Sequence, residues 1–165
     1  VVRIGSFSKV LSASIRCGYI AARKDWIEAL TDLQVAVNFG GPSPVAAELL
    51  YTALSGSGFR KHMEALRDRL GQSRRAVADS LSGLGIEPWL MPRGGFYLWC
   101  QLPDGIGASD LARKALANRF VLAPGNVFSV SQTMDSFMRF NVSQMGDGAI
   151  YAFLREAMME MQGAA

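Results

Sequence analysis

The sequence predicts two mixed folds in succession, the end of an α/β domain and then a small α+β domain. Three observations carry this. From Phe59 onward the elements read helix, strand, strand, helix, strand, strand, helix, an order that layers helices against one sheet. Before Pro44 there are only two short strands and a helix, too few to bury both faces of a sheet, so this part reads as the tail of an α/β domain whose earlier strands are not in the chain. Turn-forming "NFGGPSP" at 38–44, followed by Gly56 and Gly58, punctuates the passage between them. The expected division is 1–58 and 59–165.

In order, residues 1–4 are a β-branched run that reads as a buried strand delivering its end into a loop after Gly5. Residues 18–22 form a neighbouring strand. Asp25 is the expected N-cap of a helix carrying Trp26, Ile27, Leu30 and Leu33. Residues 45–54 have helical apolar spacing. From Phe59, the positions Met63, Leu66, Leu70, Val77, Leu81 and Leu84 recur at three, four or seven residues, which predicts one long amphipathic helix closed by Gly83 and Gly85. A strand at 86–90 and a turn at "PRGG" lead to a central strand at 96–102, with Phe96, Leu98, Cys100 and Leu102 on one face and Tyr97, Trp99 and Gln101 on the other. Ser109 is the expected cap of a helix reaching Arg119. Short strands follow at 121–123 and 138–142. A helix carrying Ile150, Tyr151, Leu154, Met158 and Met161 closes the order.

Composition excludes several classes of function. The chain has 165 residues, 19% of them charged, with a formal charge of +3. Its basic residues are scattered or, between Arg60 and Arg75, interleaved with acids, which reads as a solvated helix face and not as a nucleic-acid footprint. Two cysteines far apart and one histidine match no common metal pattern, so no metal is expected. No apolar run reaches the roughly 20 residues that span a bilayer. The expected compartment is the reducing cytoplasm.

One stretch invites chemistry. "IGSFSKVLSASIRCGY", residues 4–19, places Lys9 just past a strand among Ser6, Ser8 and Ser12, with Arg16 seven residues on. An amine among hydroxyl donors can be set up as a nucleophile toward a carbonyl, and a guanidinium grips phosphate or carboxylate with two prongs. Taken singly, each also fits an ordinary solvated loop. His62 is expected to face solvent, Trp89 and Trp99 to pack, and Cys17 to be simply buried.

The run "SFSKVLSASIRCGY" resembles the lysine segment of fold-type I pyridoxal-phosphate enzymes, the aminotransferase class I and II family. "GGFYLWCQLP" at 94–103, "VLAPGNVFS" at 121–129 and "MRFNVS" at 138–143 resemble its later segments in the same order. The resemblance implies the end of the large cofactor domain over 1–58 and the small C-terminal domain over 59–165. It implies pyridoxal 5'-phosphate as cofactor, with Lys9 forming a Schiff base to its aldehyde and then moving a proton at the substrate α-carbon. Ser6, Ser8 and Arg16 would hold the cofactor phosphate, and Arg139 would receive the α-carboxylate of an amino acid or 2-oxo acid. Ser43 would contact the partner subunit of a homodimer. "SGSGFRKHMEALRDRLGQSR", residues 55–74, is most similar to the MocR-type branch of GntR regulators, in which DNA is bound through a separate upstream domain. The aspartate that pairs with the pyridine nitrogen belongs to the family's upstream half. The 165 residues taken alone are therefore expected neither to hold the cofactor tightly nor to transaminate.

Overall fold

The structure, a computed structural model, describes residues 1–38 and 41–163. Phe39 and Gly40 of the expected 38–44 break lie outside the described residues. The chain separates into two compact units, Val1–Ala65 and Leu66–Ala165.

In the first unit, β1 (Arg3–Ser6) and β2 (Gly18–Ala21) pair antiparallel from Arg3 with Ala21 to Ser6 with Gly18. The expectation of a buried first strand is corrected. This ribbon has two strands, and Val1, Val2 and Ile4 are exposed, because one partner strand covers an edge and not a face. Helix α1 (Lys24–Asn38) follows. Its cap is Arg23, not Asp25: the Arg23 carbonyl accepts from the Trp26 and Ile27 N–H groups at 3.1 Å. Asp25 sits instead in the first turn, 2.8 Å from the Arg23 guanidinium, where an anion complements the positive end of the helix dipole. Helix α2 (Pro44–Ser55) opens with a proline, whose missing N–H has no helical partner at that position anyway. Helix α3 (Gly58–Ser82) begins in the first unit and continues through the second.

The second unit holds an antiparallel sheet of order β3-β4-β6-β5, built from β3 (Glu87–Pro88), β4 (Tyr97–Gln101), β5 (Ala123–Pro124) and β6 (Phe137–Asn141). As expected, β4 lies inside the sheet. The strand expected at 86–90 shrinks to the two paired residues of β3, and the one expected at 121–123 shifts to the two of β5, Ala123 and Pro124. Both contain a proline, which cannot donate to the ladder and is confined to edges.

Alternation along β4 and β6 sends Leu98, Cys100, Met138 and Phe140 into the core. There they meet Val77, Ala78 and Leu81 of α3, Leu111 of α4 (Ala108–Ala117), and Ile150, Leu154 and Met158 of α5 (Gly148–Gly163). The opposite face carries aromatics. Trp99 stacks on Phe137 at 5.5 Å and 10°, and Trp89 meets the same ring edge-on at 5.5 Å. Trp89 is 68% exposed, so the expectation that it packs holds only for one side of its ring.

Ser109 does not cap α4 from the N-cap position. Gly107 occupies that place, and Asp135 arrives from the segment before β6 to supply the acceptor. One of its carboxylate oxygens accepts from the Ser109 N–H at 2.9 Å, from the Ser109 hydroxyl, and from the Asn126 side-chain amide at 2.9 Å. Gly125 has its own necessity, since a Cβ there would stand 2.2 Å from the Met134 carbonyl oxygen.

Two outcomes follow from this packing. Asp135→Ala leaves three part-buried donors without their acceptor and should cost about 2 kcal/mol, read as a lower urea midpoint. Burial, with the Glu87 charge second, pushes the Cys100 thiol from 9.0 up to about 12. Its contribution to stability is therefore complete below pH 9.0 and lost as the pH rises through about 12. At pH 8 a disulfide reagent should titrate Cys17 in the native chain and reach Cys100 only after unfolding.

Candidate functional site

The expected site residues fall in both units, with Ser6, Ser8, Lys9 and Arg16 in the first and Arg139 in the second. Ser6 ends β1, and the loop of residues 7–17 carries the other three to the start of β2. Hydrogen bonds close this loop from within. Phe7 N–H donates to the Cys17 carbonyl at 3.0 Å, and Leu11 N–H donates to the Phe7 carbonyl at 2.9 Å. The Ser6 hydroxyl oxygen accepts from Ser8 N–H at 3.2 Å, leaving its own hydrogen available to a ligand. The Ser12 oxygen accepts from Ser14 N–H at 3.3 Å and so caps a single 3₁₀ turn, Ala13–Ile15.

Arg16 ends that turn at φ 48° and ψ 38°, in the left-handed region. A side chain other than glycine there costs about 1–2 kcal/mol, so the surrounding bonds must impose it. The consequence is a sharp reversal that brings the chain from the loop straight into β2. Gly18 then has to be glycine: a Cβ would lie 2.6 Å from the Gly5 carbonyl oxygen, across the first rung of the ribbon. This explains in physical terms why a glycine follows so soon after the arginine.

His62 faces solvent as expected, but it is more than a solvated side chain. Its Nε2 lies 2.7 Å from the Val10 carbonyl oxygen and donates to it, tying α3 to the residue after Lys9. Cys17 is half-buried beside Arg16 and free, not fully buried as expected.

Arg139 lies in β6 on the face opposite the core, directly across from Trp99 in β4. Its guanidinium carbon sits 4.1 Å from the centre of the Tyr97 ring and 4.3 Å from that of Phe128. Its Nε is buried and has no hydrogen-bond partner. Leaving such a donor unsatisfied costs about 1–3 kcal/mol, while each cation–π contact returns about 0.5–2, so the two effects nearly cancel. The arginine is thus held without being neutralised. It borders a cavity of about 490 Å³, shared with Arg119, Val121, Gln144 and Asp147.

The donor set fits a phosphorylated aldehyde and a carboxylate. Residues 1–22 contain no aspartate or glutamate, and none of the ion pairs among the described residues uses Lys9, Arg16 or Arg139. Among these residues no cluster of potential metal ligands occurs, and no helix is long and apolar enough to cross a membrane.

Comparison with known proteins gives a consistent result. The family model for aminotransferase class I and II matches residues 1–155. Two curated relatives are an uncharacterized HTH-type transcriptional regulator, YdfD of Bacillus subtilis, and a 2-aminoadipate transaminase of Thermus thermophilus. The first is 29% identical over 134 residues, covering 78% of this chain and 27% of the relative. The second is 24% identical over 165 residues, covering 99% and 41%. The chain therefore spans well under half of each. Among solved structures, LysN, an α-aminoadipate aminotransferase from Thermus thermophilus complexed with N-(5'-phosphopyridoxyl)-L-leucine, superposes with a TM-score of 0.85. It is 23% identical, and the match covers 100% of this chain and 43% of that one, so it shows the shared fold.

Trypsin provides a direct readout of the loop, because it cuts after lysine and arginine. His62→Ala releases one hydrogen bond, worth about 1 kcal/mol, and should speed native-state cleavage after Lys9 roughly fivefold. Gly18→Ala should speed it further by opening the ribbon at its first rung.

Proposed function

The chain belongs to the aminotransferase class I and II family, and on that premise we propose that it supplies the lysine loop and small domain of a pyridoxal-phosphate protein that exchanges amino groups between α-amino and 2-oxo acids. Residues 1–58 are read as the end of the large domain and 59–165 as the small one. Ser6, Ser8 and Arg16 hold the cofactor phosphate through two hydroxyls and a guanidinium fork. When bound, pyridoxal phosphate supplies an aldehyde for an amine and an electron-withdrawing ring that stabilises negative charge at the substrate α-carbon. The Lys9 amine would be the group that meets this aldehyde, and as a free amine it would take and return the proton at that α-carbon. Arg139 holds the α-carboxylate with its two-pronged guanidinium. The observation that carries this reading is Arg139 itself, a cation seated against two rings, with a buried unsatisfied Nε and no ion pair to a carboxylate among the described residues. A homodimer in the cytoplasm, with Ser43 reaching the neighbouring subunit, completes the proposal.

A second reading rests on the similarity to YdfD. In it the same residues bind cofactor and amino acid to report their presence to a tethered DNA-binding domain.

Two measurements on the protein as encoded separate these readings and test both. Borohydride treatment in the presence of pyridoxal phosphate should place a single label on Lys9, absent in Lys9→Ala; a label spread over surface lysines would reject both readings. Arg139→Ala should raise the KM for amino acid at least about 100-fold if the protein turns over, since a bidentate arginine–carboxylate contact is worth roughly 3 kcal/mol. Specific labelling at Lys9 without amino-group exchange would favour the sensor.

A further inference from the structure

The Tyr97, Phe128 and Arg139 side chains form a unit that the proposed chemistry uses only at its tip. Arg139 sits in β6, and two neighbouring elements each contribute a ring: Tyr97 from β4, one diagonal step along the ladder, and Phe128 from the 3₁₀ turn that follows β5. Their centres lie 4.1 and 4.3 Å from the guanidinium carbon. Phe128 is braced in turn by Trp99, edge-on at 5.8 Å, and Trp99 by Phe137, stacked at 5.5 Å. This brace runs along the face opposite the core.

An arginine on an open sheet face would ordinarily sample many rotamers or fold onto an acid. Here neither happens. No carboxylate pairs with Arg139 among the described residues, and its Nε is withdrawn from solvent without an acceptor. Two rings lie against the guanidinium and its Nε is buried without a partner, so the terminal nitrogens are what remain for a ligand. A planar carboxylate approaching in the guanidinium plane matches that edge with two parallel bonds.

We propose that Tyr97 and Phe128 are positioning residues that hold the Arg139 guanidinium in one plane, so that it accepts a carboxylate edge-on without first losing rotamer freedom. The proposal rests on the reading of Arg139 as the carboxylate receiver. Rotamer ordering that a free arginine would undergo at binding is here completed on folding. The expected consequence is that removing either ring weakens carboxylate binding about tenfold while leaving the fold intact. Tyr97 and Phe128 are 37% and 46% exposed, so aliphatic replacements leave no sealed cavity.

The test is the arginine Nε–H signal of the ¹⁵N-labelled protein as encoded, loaded with pyridoxal phosphate, assigned through Arg139→Lys and titrated with pyruvate and with its uncharged methyl ester. The expected signal is displaced upfield by the rings, exchanges slowly with water, and moves with pyruvate but not with the ester. Tyr97→Leu and Phe128→Leu should each relax the upfield shift, speed exchange and raise the pyruvate Kd about tenfold, whereas Tyr97→Phe should behave as the parent chain. If pyruvate moves the signal in the parent but the two leucine variants bind it equally well, the positioning role is overturned and the carboxylate reading stands. If pyruvate leaves the parent signal unmoved, the carboxylate reading falls and the positioning role with it.

Discussion

The antiparallel register between β4 and β6 is the constraint on which the second unit depends. It pairs Leu98 with Phe140 and Cys100 with Met138, which seats four side chains in the core, and by the same alternation places Tyr97, Trp99, Phe137 and Arg139 on the other face. A slip of one residue would exchange these sets. It would drive a guanidinium into the core and present Met138 and Phe140 to water, an exchange costing far more than a domain of this size can absorb. The arginine's place on the non-core face is therefore enforced by the hydrophobic core beneath it.

The lysine loop is governed by a different constraint, close backbone approach. The carbonyl of Gly5 occupies the space where residue 18 would need a Cβ, and the left-handed Arg16 supplies the reversal just before it. Between these two points the chain can be closed only tightly, which is why internal bonds from Phe7 and Ser6 and an outside bond from His62 suffice to order it. Function and strain meet at Arg16, whose side chain is proposed to hold phosphate while its backbone makes the turn.

Much of the fold is legible in the sequence, and what the sequence misses has identifiable causes. The long helix α3, the inner strand β4 with its two faces, and the closing helix all follow from periodicity, because burial selects one face of each. The helix starts at Lys24 and Ala108 are misplaced by a residue or two. In one case the capping carbonyl comes from Arg23, and in the other the acceptor comes from Asp135, 26 positions beyond Ser109, a tertiary contact that no local pattern encodes. The lysine loop is legible as a motif. The links from His62 to Val10 and from Tyr97 and Phe128 to Arg139 are not, since they join residues distant in sequence. Alternation alone puts Tyr97 on the non-core face; only the register with β6 reveals what it meets there.

The most direct measurement is a crystal structure of the encoded protein grown with pyridoxal phosphate and a 2-oxo acid. The account predicts continuous density from the Lys9 amine to the cofactor, phosphate oxygens against Ser6 and Arg16, and a carboxylate lying in the plane of the Arg139 guanidinium. Cofactor bound away from residues 6–16, or Arg139 paired to a protein carboxylate with the acid elsewhere, would contradict it.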